Sequence, residues 1–130
     1  MTRCEKAVEN HKMGCNCAQA VACVFADELG YSQDVIFRLT EGFGAGMGAT
    51  QGVCGAVSAM VFVAGALKSF GIDKLPDTNK KTSYDTARSL MEQFAREVGT
   101  TICAEIKAEK RCSCNECIEK AVKILEENLF

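Results

Sequence analysis

The apolar residues of this chain recur at helical spacing, and no stretch alternates in the way a half-buried strand does. Glycines and polar clusters divide the pattern into segments. A short first segment runs from about Thr2 to Lys12 and ends at Met13-Gly14. The next, Asn16 to Leu29, places Cys17, Val21, Val24 and Glu28 on one face with Ala18, Phe25 and Leu29 flanking it, and Gly30 is placed to terminate it. Ser32 is positioned to cap a helix from Gln33 to Glu41 with Val35, Ile36 and Leu39 inward. A glycine-rich run from Gly42 to Gly52 interrupts the pattern. Residues 53–70 then form a central apolar helix closed by Gly71. Ile72 to Lys81, with the only proline at Pro76, reads as a surface connection. Ser83 to Val98 is amphipathic, with Tyr84, Ala87, Met91, Phe94 and Val98 on one stripe, and Gly99 ends it. A last helix, about Asn115 to Asn128, turns Cys117 or Ile118, Ala121, Leu125 and Leu129 inward.

The expectation is therefore an all-α fold, a single domain over residues 1–130 with about five or six helices around the apolar segment 53–70. Gly42 to Leu67 is 26 residues long and carries no charge. Its convincingly apolar part, Val53 to Leu67, falls short of the roughly 20 residues a spanning helix needs, which predicts a buried helix and no membrane span. Small residues along that helix permit a tight contact within the chain or between the two chains of a homodimer.

Composition narrows the function by exclusion. A formal charge of −2, with no basic patch among aromatics, argues against nucleic acid as a partner. The mixed charges of residues 1–9 are not those of a secretory signal, so the chain is expected in a reducing compartment, the cytoplasm. Nine cysteines in 130 residues then need a reason other than structural disulfides, and an odd number leaves one thiol over. Redox or metal chemistry is the leading reading.

Gly44-x-Gly46-x-Gly48 lacks the strand before it and the third glycine of a dinucleotide turn, and no Gly-Lys-Ser/Thr follows to make a P-loop. Close packing at Gly48, Gly52, Gly55, Ala56 and Ala59 accounts for the small residues better. The run also delivers Cys54 to a helix start, where free amide groups and the helix dipole favour thiolate, and Cys17 stands in a comparable position. Cys54 and Cys17 are thus the candidate redox thiols. Cys112-x-Cys114-x-x-Cys117 is the most metal-like spacing, with a fourth ligand to come from Cys103 or from the N-terminal group. Spacing alone leaves zinc and an iron–sulfur cluster both open. Cys23 reads as a small buried hydrophobe, Cys4 as functionless on a frayed segment, and Cys15 carries no assigned role. His11, among polar residues, reads as a solvated surface histidine. No nucleophile–base arrangement supports a hydrolase, and no Cys-x-x-Cys-His marks covalent haem.

Asn16-Cys17-Ala18-Gln19-Ala20-Val21, the glycine run leading to Cys54-Gly55-Ala56, then Cys103, then Cys117 before Ala121-Val122-Lys123-Ile124-Leu125 together resemble the redox-active C_GCAxxG_C_C family. That family is defined by four dispersed cysteines, one within Cys-Gly-Ala-x-x-Gly. The resemblance runs over nearly the whole chain and implies Cys17, Cys54, Cys103 and Cys117 as the functional set. The motif's last glycine is Ala59 here, which bears on helix packing and not on the thiols.

Three readings follow. In the first, Cys17, Cys54, Cys103 and Cys117 hold an iron–sulfur cluster that exchanges single electrons with a protein redox partner, with Cys112 and Cys114 as secondary metal candidates. In the second, Cys54 attacks a disulfide and Cys17 or Cys117 resolves it. In the third, the cysteines bind zinc or another soft metal without redox chemistry.

Overall fold

A computed structural model describes residues 1–130, and it is all-α. The helices are α1 (Arg3–Lys12), α2 (Cys17–Cys23), α3 (Ala26–Leu29), α4 (Gln33–Thr40), a single turn α5 (Gly44–Met47), α6 (Gly55–Lys68), α7 (Lys80–Val98), α8 (Cys103–Ala108) and α9 (Cys114–Leu129). Short 3-10 turns occupy Glu41–Phe43 and Ile72–Lys74. No helix is long and apolar enough to cross a membrane.

Side chains that cap the backbone fix where several helices begin. Thr2 with Glu5, Asn16 with Gln19, and Ser113 with Glu116 each close a reciprocal capping box at α1, α2 and α9. Ser32 Oγ accepts from the Val35 N–H to start α4. The first segment is therefore a closed helix with Ala7 fully buried, not a frayed end, because the Thr2–Glu5 box satisfies its free amides.

α2 and α6 pack against each other at the centre, α7 and α9 lie on α6, and α1 closes over α9 and α2. Ala18, Ala20, Ala22, Ala56, Ala59 and Ala64 are buried, and their small side chains let the central helices approach closely. The small-residue face of α6 is thus used inside the chain. At Gly55 an added Cβ would lie 3.1 Å from the Ala18 nitrogen and 3.3 Å from Cys17 Cβ, so α2 and α6 touch backbone to backbone beside the first cysteine of the helix.

Several expectations need correction. The segment from Asn16 to Leu29 is two helices: the chain tightens at Val24–Phe25, where Phe25 N–H reaches back only to Ala22. That turn swings Phe25 fully into the core and leaves Glu28 at the surface. On α4 the inward residues are Ile36, Phe37 and Thr40, whereas Val35 and Leu39 are exposed. The buried stripe of α7 is Leu90, Phe94 and Val98, and Tyr84 is exposed because α7 starts at Lys80 and its first turns extend beyond the core. The central helix ends at Lys68, and α8 was not expected at all.

The glycine run is an ordered reversal. Ala45, Gly46, Met47, Gly48 and Ala49 all have positive φ, as does Gln51. Gly46 is indispensable there: its φ is +74°, and a Cβ would lie 2.6 Å from the Gly52 nitrogen. Thr50 Oγ1 steadies the turn by donating to the Gly46 carbonyl at 2.7 Å.

A second feature ties the first helix to the last. The Arg3 guanidinium lies 5.1 Å and 5.4 Å from the ring centres of Phe25 and Phe130. It also pairs with Glu126 at 2.9 Å and with Glu28.

Candidate functional site

The reversal at 42–52 hands the chain to a two-residue antiparallel bridge. Val53 faces Ile102, Cys54 N–H donates to the Thr101 carbonyl at 2.8 Å, and Cys103 N–H donates to the Gly52 carbonyl at 2.7 Å. This clamp holds Cys54 and Cys103 side by side although they are distant in sequence. Cys54 is the N-cap of α6 and Cys103 opens α8. Cys17 opens α2 and Cys114 opens α9, with Cys117 in the same first turn. The N-terminal ends of these helices meet at one place, and the Ala56 and Val57 amides at the start of α6 favour negative charge there.

That place is a small cavity of about 50 Å³. Cys17, Cys54, Cys103, Cys112, Cys114 and Cys117 line it with Ala45, Gly46, Gly55, Ile106 and Lys107. The four residues picked out by the resemblance and both secondary candidates therefore meet. A larger charged groove of about 250 Å³, lined by residues including Glu97, Glu116 and Lys123, contains no thiol. The thiols lie in the smaller one.

The sulfurs are not equivalent. Cys54 is 5% exposed, yet its acidity is raised: its pKa falls from the usual 9.0 to about 6. The largest cause is a hydrogen bond donated by the Cys117 thiol. Burial opposes the shift, and the N–H groups of Ala56 and Val57 and the charge of Lys107 reinforce it. Cys117 moves the other way, because its proton is the one given to Cys54. Cys17 is pushed up to about 12, first by burial and then by the charge of Cys114 and Cys54. The expected likeness between Cys17 and Cys54 therefore fails. Both stand at helix starts, but the helix-end amides of α6 reach Cys54 Sγ, while Cys17 meets mainly other sulfurs.

The remaining cysteines lie elsewhere. Cys4 Sγ is 3.7 Å from the Glu119 carbonyl, between α1 and α9. Cys23 is buried with Sγ 3.8 Å from the Gln33 carbonyl, and Cys15 is half-buried beside it in a separate groove.

His11 is the residue that sequence reasoning missed. It is half-buried in the last turn of α1, its Nδ1 lies 3.0 Å from Asn115 Oδ1, and its ring joins the Cys17 and Cys114 sulfurs with ligand atoms within 4.8 Å of one another. These three side chains have the composition and spacing to hold a metal ion. A signal was present: His11 falls four residues after the buried Ala7, on the inward face of α1.

The sequence profile of the family described as "Putative redox-active protein (C_GCAxxG_C_C)" matches residues 15–128. The chain belongs to that family. No curated protein and no solved structure matches it.

Proposed function

From this membership we propose that the protein is a redox carrier whose prosthetic group is an iron–sulfur cluster held by Cys17, Cys54, Cys103 and Cys117. The observation that carries the reading is convergence: four thiols from four separate stretches of chain open onto one cavity. Its other walls are small or apolar apart from Lys107 and two further thiols. A donor set of sulfur without carboxylate suits soft metal centres, zinc or iron–sulfur, and a redox family favours the one that changes oxidation state. When bound, the cluster supplies reversible one-electron chemistry.

The chain's own residues do the rest. Cys54 enters as thiolate near neutral pH, so one ligand needs little deprotonation. The Ala56 and Val57 amides that bond its sulfur stabilise added negative charge there, and Lys107 adds to this. Ala45, Gly46, Gly55 and Ile106 form uncharged wall beside the sulfurs, of which those of Cys54, Cys103 and Cys117 are buried. The thiols pack across only about 50 Å³, so ligation replaces the thiol hydrogen bonds of Cys54 with Cys117 and of Cys17 with Cys114. The electron partner is a protein, and the reducing cytoplasm is where such a set of thiols persists.

The test is a visible spectrum, with iron, sulfide and zinc measured, on protein purified without oxygen. Matching iron and sulfide, lost on replacing any of the four cysteines by serine, is the expected result. An iron-free, colourless protein overturns the reading. The opposed acidities of Cys54 and Cys117 in one cavity favour a second one: Cys54 thiolate attacks a substrate disulfide, releasing one thiolate, and Cys117 then displaces the other to leave a Cys54–Cys117 disulfide. Its sign is a metal-free protein that loses two hydrogens on oxidation and regains them with dithiothreitol.

A further inference from the structure

His11, Cys17 and Cys114 come from three different helices: the last turn of α1, the first residue of α2 and the first residue of α9. Their ligand atoms lie within 4.8 Å of one another. A tetrahedral zinc ion, with Zn–S near 2.3 Å and Zn–N near 2.0–2.1 Å, sets neighbouring ligand atoms about 3.5–3.8 Å apart. The three donors therefore need to close by no more than about 1.3 Å.

The histidine is prepared for this. Asn115 Oδ1, a carbonyl oxygen, faces Nδ1 at 3.0 Å and accepts its proton. The lone pair is then left on Nε2, one of the two ring nitrogens through which an imidazole binds a metal. Asn115 is next to Cys114 on α9, so one helix turn provides both a ligand and the group that orients a second ligand. The Asn16–Gln19 and Ser113–Glu116 capping boxes hold the first turns of α2 and α9 in place.

We propose that His11, Cys17 and Cys114 form a binding site for a zinc-class divalent cation at the rim of the thiol cavity. The two sulfurs and one imidazole suit zinc rather than calcium or magnesium, which take oxygen ligands. Cys114 is exposed, and three protein ligands leave the fourth coordination position open to water or to an incoming donor. His11 and Cys114 lie outside the four-cysteine set, and only Cys17 is common to both. The site does not rest on the iron–sulfur reading; because both use the Cys17 sulfur, the ion occupies it in the cluster-free protein.

Reduced, metal-free protein titrated with cobalt(II) without oxygen provides the test, because thiolate-bound tetrahedral cobalt gives intense visible bands that zinc then removes. One cobalt equivalent is expected at this site, told apart from uptake by the four-thiol set through its dependence on His11 and Cys114. Its affinity should fall tenfold or more in His11→Gln and in Cys114→Ser, each checked for native helicity by circular dichroism. Asn115→Ala, which removes no ligand, should weaken binding about 10–100-fold, with recovery in Asn115→Asp. Cys4→Ser and Cys23→Ser, whose sulfurs lie outside the cavity, should bind normally. The proposal is overturned if no tetrahedral cobalt forms, or if binding survives His11→Gln and Cys114→Ser. Absence of iron and sulfide from the isolated protein would end the cluster reading and leave this result untouched.

Discussion

Replacing Cys117 by alanine removes the donor that does most to hold Cys54 as thiolate. With its pKa at about 6, Cys54 is about nine-tenths ionised at pH 7 in the reduced, metal-free protein. A hydrogen bond to a charged group is worth about 1.5–3 kcal/mol, so its loss reduces the acidity of Cys54 roughly ten- to a hundredfold. The ionised share at pH 7 then falls to between about a half and a tenth. The Ala56 and Val57 amides remain and keep Cys54 more acidic than an ordinary thiol. Thiolate ultraviolet absorbance followed against pH, with the Cys54→Ser trace subtracted, reads the change directly. Cys117→Ser keeps an O–H donor and should preserve most of the effect. Identical traces for wild type and Cys117→Ala, or a wild-type midpoint near 9, would refute the argument. The same shift has a stability sign. Between pH 6 and 9 the unfolded chain binds the proton that folded Cys54 has released, so stability rises with pH. The gain is about 1 kcal/mol by pH 7 and is lost again as the pH falls through 6. Cys17 and Cys117, whose protons are held more tightly in the fold, act in the opposite direction only above pH 9.

Three other substitutions probe the scaffold. Gly55→Ala forces a methyl against the Ala18 nitrogen and Cys17, and it should cost about 1–3 kcal/mol in denaturant unfolding; an unchanged midpoint would show that α2 and α6 do not touch there. Ala49→Gly relieves a non-glycine residue at φ +63° and should stabilise by about 0.5–1 kcal/mol after the entropy of glycine is counted, read as a melting temperature a few degrees higher. A lower melting temperature would contradict the left-handed geometry. Arg3→Ala removes two carboxylate partners and the contact with Phe25 and Phe130 and should cost about 1–2 kcal/mol, part of it disappearing in high salt. No loss at low salt would mean the cluster is ornamental.

Helix content was legible wherever a long face repeats: α6 and α9, and the lower part of α7, follow their apolar spacing. The four dispersed cysteines were legible as a set through motif order, although no spacing rule brings Cys54 and Cys103 together. The Val53–Ile102 bridge does that, and two residues carry no periodicity to detect. α8 escaped notice because a six-residue helix opening at Cys103, with Ile102 at its cap and no side-chain capping bond, gives no start signal. Val35 and Leu39 misled because α4 packs chiefly on α2 through its other face. His11 was hidden for a similar reason: its partners Cys114 and Asn115 belong to a helix at the far end of the sequence.

The clamp between residues 51–54 and 101–104 has a consequence for how the chain is made. Cys17 and Cys54 leave the ribosome well before Cys103, and the first turn of α9 appears later still. Until then the early thiols have no cage, and a nascent chain presents them singly to oxidants and stray metal. Only the later segments, by pairing with Gly52 and Cys54 and then docking on α6, bring the scattered thiols to one cavity. Assembly of the centre is therefore a late event of folding, and a truncated chain lacking α9 should bind soft metal loosely and in variable ratio.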